Sequence, residues 1–160
     1  MNKQISPSIR WRFTVSPYSN STATFDGGNI LIGACSKVQS STNYDIGRNS
    51  LVVGFQSCNT QYGATVLGNL SCVNSLFGVV VGIQGCTCVG EFANSLGYNN
   101  RVCSSYSSGV GFQNNICTNS DRSAILGSSN ILRSSCSFIL GDSNNIFPGA
   151  TGTIVLGNSS

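Results

Sequence analysis

The chain has 160 residues, one ordinary domain, yet only 8% of them are charged, against about 25% in an average protein. The formal charge of +3 is spread along the chain, without the concentrated basic stripe of a nucleic-acid binder. Histidine is absent, which removes Ser-His-Asp and Cys-His catalysis and His-based zinc or iron sites.

The N-terminal 28 residues stand apart from the rest. Ile9-Arg10-Trp11-Arg12-Phe13-Thr14-Val15 alternates as a strand does and is bounded by Pro7 and Pro17. Tyr18 to Thr24 reads as a polar linker. Residues 1–28 are expected to cap the open first coil of a repeat domain that begins at residue 29. They also offer a docking segment for a larger assembly, with Arg10, Trp11 and Arg12 as the candidate contact residues. Met1 to Pro7 lacks the apolar core of a signal peptide. The longest apolar run, Phe77 to Ile83, is seven residues with two glycines, far short of the roughly 18 of a membrane span.

From residue 29 to 160 a unit of about fourteen residues repeats. Its anchors are Gly33, Gly54, Gly68, Gly82, Gly97, Gly111, Gly127, Gly141 and Gly157, spaced 21, 14, 14, 15, 14, 16, 14 and 16 residues apart. The residue before each anchor is aliphatic in all nine copies, and the one before that is apolar in seven of nine. Four before the anchor stands a small residue. Three after it stands only Ser, Asn or Gly, and five after it an aliphatic residue in six of eight copies. A unit this short cannot hold a helix pair, and its apolar runs of three or four suit short strands. One unit cannot bury its own apolar face, whereas stacked units can, each strand pairing with its equivalent about 4.8 Å away. The expected fold is all-β: a parallel β-solenoid of about nine small coils. The anchor glycine is expected to supply a positive φ or a close backbone approach, and the Ser or Asn three residues on to serve the second turn.

Successive strand residues point to opposite faces, so the two aliphatic positions before the glycine cannot share one interior. Val53, Leu67, Val81, Leu126 and Leu140 are assigned to the buried column. Leu31, Val52, Val66, Val80, Ile125, Ile139 and Val155 then face outward as a stripe, interrupted by Ser95 and Gly109. A stripe of this kind marks an interface.

Six of the eight cysteines keep the same register. Cys58, Cys72 and Cys86 lie four after an anchor, and Cys88, Cys103 and Cys117 six after one. No C-x-x-C occurs, so the usual zinc and redox spacings are missing. These six are expected to be reduced and buried, as small apolar fillers in a chain folded in a reducing compartment. Interstrand disulfides and metal binding are the sharper readings of the same columns.

The unit resembles the head repeat of YadA-type trimeric autotransporter adhesins. Ser50-Leu51-Val52-Val53-Gly54-Phe55-Gln56-Ser57-Cys58-Asn59 is one clear copy, and Ser123-Ala124-Ile125-Leu126-Gly127 and Ser137-Phe138-Ile139-Leu140-Gly141 are others. The resemblance covers about residues 29–160. It implies a left-handed parallel β-roll, three chains side by side around an axis, and binding to a surface or matrix ligand. The form Gly141-Asp142-Ser143-Asn144-Asn145-Ile146 is also similar to repeats in phage tail fibres and in structural proteins of large DNA viruses. The chain departs from the adhesins in showing no secretion signal, coiled-coil stalk or C-terminal membrane barrel. The repeat also falters between residues 43 and 54, read as an inserted loop or half-coil.

Catalysis is not expected. The acyltransferases and γ-class carbonic anhydrases of left-handed β-helices depend on histidine. Asp26, Asp45, Glu91, Asp121 and Asp142 are placed in different columns and coils, which disfavours paired-carboxylate chemistry. Threonine is scattered rather than ranked, which argues against an ice-binding face. The expectation is a non-enzymatic structural fibre or spike protein of a virion or phage particle, with a part in host attachment. It would form a homotrimer, contact neighbouring virion or tail proteins through the N-terminus and meet a host-surface receptor. No cofactor, metal, nucleic acid or membrane insertion is implied. The alternative is the head of a bacterial trimeric autotransporter adhesin at the cell surface, binding a host surface or matrix ligand.

Overall fold

The computed structural model describes residues 30–33, 35–38, 50–88 and 90–159. The N-terminal segment with Arg10, Trp11 and Arg12, and most of the irregular stretch 43–54, lie outside the described residues. The described chain is all strand and turn. In chain order the first strands are β1 (Ile30–Ile32), β2 (Lys37–Val38), β3 (Leu51–Phe55), β4 (Cys58–Asn59), β5 (Thr65–Asn69) and β6 (Cys72–Val73). Next come β7 (Val79–Ile83), β8 (Cys86–Thr87), β9 (Asn94–Tyr98), β10 (Arg101–Val102), β11 (Ser108–Phe112) and β12 (Asn115–Ile116). The last are β13 (Ala124–Ser128), β14 (Ile131–Leu132), β15 (Phe138–Asp142), β16 (Asn145–Ile146) and β17 (Ile154–Asn158).

Odd-numbered strands form one nine-stranded sheet and even-numbered strands one eight-stranded sheet, each in strict sequence order. Every pairing is parallel, and the anchor glycines pair with one another from coil to coil. The molecule is therefore a parallel β-solenoid of eight turns, closed by β17 as a ninth wide strand. Coil 1 is β1 with β2, coil 2 is β3 with β4, and so on to coil 8, β15 with β16. The 15- and 16-residue gaps place their extra residues after the narrow strand, so both sheets keep register through them.

The interior is only two side chains wide. Val52, Val66, Val80, Ser95, Ile125 and Ile139 project from the wide sheet, and Asn59, Val73, Thr87, Val102, Ile116, Leu132 and Ile146 from the narrow one; all are buried. This reverses the assignment made from sequence. Val52, Val66, Val80, Ile125 and Ile139, expected in the outward stripe, form the core, and Val155 is half-buried against it. Leu31 pairs in register with Val52, but its side chain is not among those described. Of the column expected inside, Leu67, Leu126 and Leu140 are exposed and Val53 and Val81 half-buried. The physical reason lies one residue beyond the glycine. That position shares a face with the residue before the glycine; it is apolar or aromatic at Phe55, Ile83, Tyr98 and Phe112, but in four coils it carries Asn69, Ser128, Asp142 and Asn158, which cannot enter a dry interior without partners.

Glycine at the anchor is demanded twice. Gly111 has φ +119°, and a Cβ there would fall 1.9 Å from the carbonyl oxygen of Gly127 in the next coil. The left-handed corner lies one residue earlier than expected, two after the anchor rather than three. Gln56, Leu70, Gln84, Asn99, Gln113, Ser129 and Ser143 all have φ between 50° and 58° there. That conformation costs an L-residue about 1–2 kcal/mol. It is held because the same N–H continues the stacking, as Gln113 donating to the Tyr98 carbonyl at 2.9 Å and Ser129 to the Phe112 carbonyl at 2.8 Å.

The Ser or Asn three after the anchor turns inward instead. Asn100, Asn114, Asn130 and Asn144 each donate from Nδ2 to the next coil's glycine carbonyl, at 2.8, 2.7, 2.8 and 2.6 Å. The Oδ1 atoms of Asn100, Asn114 and Asn130 accept the backbone N–H of the next Asn at 2.9, 3.1 and 2.9 Å. Ser36, Ser57 and Ser71 make the same carbonyl contact in the first coils, at 2.7, 2.9 and 3.1 Å. The buried Ser and Asn of this column are thus paired along the rod, as a dry interior requires; elsewhere, Asn115 Oδ1 is buried without a hydrogen-bond partner.

Candidate functional site

With the interior filled by side chains, what the rod can do lies on its outside, and three surfaces stand out. The first is the outer face of the wide sheet. The residue before each anchor points outward there, giving Val53, Leu67, Val81, Leu96, Val110, Leu126, Leu140 and Leu156 without a polar interruption. Phe55, Ile83, Tyr98 and Phe112 extend it along one margin, all exposed. Tyr98 and Phe112 stack at 5.1 Å between ring centroids. A continuous outward-facing aliphatic column therefore exists, exposed at its leucines and half-buried at its valines; it is not the stripe expected from sequence but the other column, and it has no break at Ser95 or Gly109, which point inward.

The second surface is a corner. Phe77, Phe92 and Tyr106 occupy equivalent left-handed positions in successive coils and stack at 5.2 and 5.5 Å, with Tyr62 edge-on to Phe77 at 5.4 Å. The preceding column carries Glu91, Ser105 and Asp121, so these two acids share a column, contrary to the sequence reading. They stand two coils apart with Ser105 between them. Each has its own partner: the Tyr106 hydroxyl donates to Glu91 Oε2 at 2.8 Å, and the Ser105 N–H to Asp121 Oδ1 at 2.9 Å. Acceptance by Glu91, and its charge, raise the Tyr106 phenol above its ordinary value. Asp142, on the wide face, accepts from Ser128 Oγ.

The third surface is the outer side of the narrow sheet, where six cysteines form a track, five of them half-buried and Cys103 buried. Cys58, Cys72 and Cys86 stack in register on β4, β6 and β8 and carry thiols, half-buried. Burial pushes the Cys86 thiol up, against the pull of Arg101, the next residue in its column, while Cys58 adds to the rise. One step across the face, Cys88, Cys103 and Cys117 form the parallel column. Cys88 and Cys103 are joined by a disulfide, with their Cα atoms 4.6 Å apart. This corrects the expectation that all six are reduced. The sequence carried the signal, since equal columns in adjacent coils bring Cα atoms within disulfide reach.

Among the described residues no group of three or more His, Cys, Asp or Glu could hold a metal ion, and no helix is long and apolar enough to cross a membrane. No protein-family model matches the chain, and no curated protein matches it.

Proposed function

We propose that this protein is a non-enzymatic fibre or spike component of a virion or phage particle, a rigid rod that assembles as a homotrimer and presents its corners to a host surface. The observation that supports this reading is the unbroken aliphatic column on the outer face of the wide sheet, widened by Phe55, Ile83, Tyr98 and Phe112 and bordered elsewhere by Asn69, Ser128, Asp142 and Asn158. Nine strands at about 4.8 Å, with about 6.6 Å of strand to one outward column, give an apolar strip of roughly 300 Å². That is the size of the largest apolar patch on a typical monomer, which is often functional. Three rods with these faces turned to a common axis would bury Leu67, Leu96, Leu126 and Leu140 and leave the corners outside. The repeat's likeness to trimeric adhesin heads and to viral fibre repeats supports the stoichiometry and the setting. The N-terminal segment with Arg10, Trp11 and Arg12 is the proposed attachment to a neighbouring particle protein.

Light scattering of the purified full chain at micromolar concentration tests the assembly. A mass three times that of the chain is expected, falling to one chain in Leu96→Glu/Leu126→Glu with the circular dichroism unchanged. A wild-type monomer refutes the reading, and a stable dimer refutes the trimer. One observation favours the alternative of a bacterial surface adhesin head. The Cys88–Cys103 disulfide is at home in an oxidising, extracellular setting. Recovery of the chain with purified particles decides for the virion; recovery with the cell envelope decides for the adhesin.

A further inference from the structure

The apolar interior is not continuous. Val52, Ala64, Val66, Val73 and Val80 form one cluster, within coils 2 to 4. Ala93, Val102, Ile116, Ile125, Leu132, Ile139 and Ile146 form a second, from the approach to coil 5 through coil 8. Between them the inward positions are polar or empty. Thr87 faces in from β8 and accepts from Ser75 Oγ at 2.9 Å, and Ser95 faces in from β9. Gly85 stands where the other coils carry the Ser or Asn of the inner ladder, and Val80 and Ser95 occupy the space its side chain would take. Coils 4 and 5 therefore meet with fewer apolar contacts and a gap in the side-chain ladder.

The disulfide crosses that same joint. Cys88 follows β8 in coil 4 and Cys103 follows β10 in coil 5. Cys117 follows β12 in coil 6 at the same register. The three backbone N–H groups donate to the next coil in the same way, Cys88 to Val102, Cys103 to Ile116 and Cys117 to Leu132, at 3.0, 2.9 and 2.9 Å. Cys103 thus has an equivalent cysteine on each side, one bonded to it and one a half-buried thiol.

We propose that Cys88, Cys103 and Cys117 form a thiol–disulfide site in which the Cys88–Cys103 bond staples the two core segments and Cys117 is the thiol to which that bond is exchanged. In the exchange, the Cys117 thiolate attacks Cys103 Sγ. The Cys103–Cys117 bond forms as the Cys88–Cys103 bond breaks, and Cys88 leaves as a thiolate that takes up the proton Cys117 lost, with no net oxidation. Opening the site takes two electrons and two protons from a dithiol reductant. Closing it takes a low-molecular-weight disulfide, which leaves as two thiols. Moving the staple to Cys103–Cys117 frees the joint between coils 4 and 5, so the site sets the stiffness of the rod at its weakest point.

The full chain and its Cys88→Ser, Cys103→Ser and Cys117→Ser variants are equilibrated with glutathione disulfide. They are then mapped by non-reducing chymotryptic digestion and tandem mass spectrometry. The expected links are Cys88–Cys103 in the wild type and in Cys117→Ser, Cys103–Cys117 in Cys88→Ser, and none within the column in Cys103→Ser. Cys88 and Cys117 stand two coils apart, about 9.6 Å at the strand spacing, beyond disulfide reach. An unlinked wild type, a Cys88→Ser variant that leaves Cys103 a thiol, or a Cys88–Cys117 link overturns the site. In parallel, dithiothreitol is expected to speed amide exchange of the wild type in β8 to β10 by about a hundredfold relative to β13 to β16, and to leave Cys103→Ser unchanged. A uniform response along the rod, or none, overturns the staple. The Cys103→Ser control separates loss of the bond from loss of the fold.

Discussion

Two neighbouring residues divide the molecule into inside and outside. Ile125 is 1% exposed and Leu126 46% exposed, though both are aliphatic and both precede the anchor glycine. Ile125→Asp is expected to prevent folding, because an unpaired charge would enter an interior with no partner for it. Leu126→Asp is expected to keep the fold and, on the proposed assembly, to weaken self-association. Circular dichroism of the two variants under one set of conditions decides, and similar unfolding of both would reject the observed register. The thiols give a second residue-level expectation. Only the thiolate is alkylated, and burial raises the Cys86 pKa, so at mildly alkaline pH less of it is nucleophilic. Cys35 and Cys136 are exposed. Iodoacetamide labelling should therefore modify those two first and Cys86 later, with the Cys86 rate still climbing at pH values above that of an ordinary thiol. Arg101 opposes the shift, so Arg101→Gln should slow Cys86 further; faster labelling of Cys86 than of Cys136 would contradict this.

At the level of the coil, the inner Asn ladder holds the corner together. Asn114 satisfies the Gly127 carbonyl and the Asn130 N–H at once. Asn114→Ala leaves both buried groups without that partner and should cost roughly 2 kcal/mol, read as a lower denaturant midpoint. Asn114→Ser should recover part of the loss, since Ser57 and Ser71 make the carbonyl contact in their own coils. Equal stability of Asn114→Ala and the wild type would show that the ladder contributes nothing. The ladder explains what was legible in the sequence and what was not. Parallel stacking repeats each side chain's surroundings every coil, so the period, the strands, the anchor glycines and the small residues four before them were all readable as columns. Gly78 shows why that last column is small: a Cβ there would meet Ser75 Oγ at 2.0 Å. Which of two aliphatic columns faces inward was not settled by hydrophobicity, because a thin rod with an apolar outer face offers both an apolar setting. The clearest signal lay in Asn69, Ser128, Asp142 and Asn158, one residue past the glycine in four coils, while Phe55, Ile83, Tyr98 and Phe112 masked it in four others. The left-handed corner was missed for a related reason. Leu70, Gln84, Asn99 and Gln113 hold positive φ through coil-to-coil hydrogen bonding rather than through local preference, so residue type does not announce it.

Along the whole rod, each coil touches only its neighbours, so stability is a sum of local terms and need not be lost all at once. The two core segments differ in kind. Coils 2 to 4 are filled mainly by valine and alanine, with serine as the latch in coils 2 and 3 and Gly85 in its place in coil 4. Coils 5 to 8 are filled largely by isoleucine and leucine and latched by asparagine, which makes bonds from both ends of its side chain. The larger side chains bury more apolar area per coil, and the polar interior at Thr87 and Ser95 weakens the coupling between the segments. Val66→Ala removes two methyl groups from the first segment, a loss of about 2 kcal/mol with the cavity it leaves. In oxidised protein this should accelerate amide exchange of β3 to β7 by about thirtyfold and leave β13 to β16 near their wild-type rates. Ile125→Ala should do the reverse, accelerating β11 to β16 and sparing β3 to β5. Hydrogen-exchange mass spectrometry resolves the segments peptide by peptide. A rod whose exchange rises uniformly in either variant would unfold as a single cooperative unit, and the break in the core at coils 4 and 5 would then have no energetic consequence.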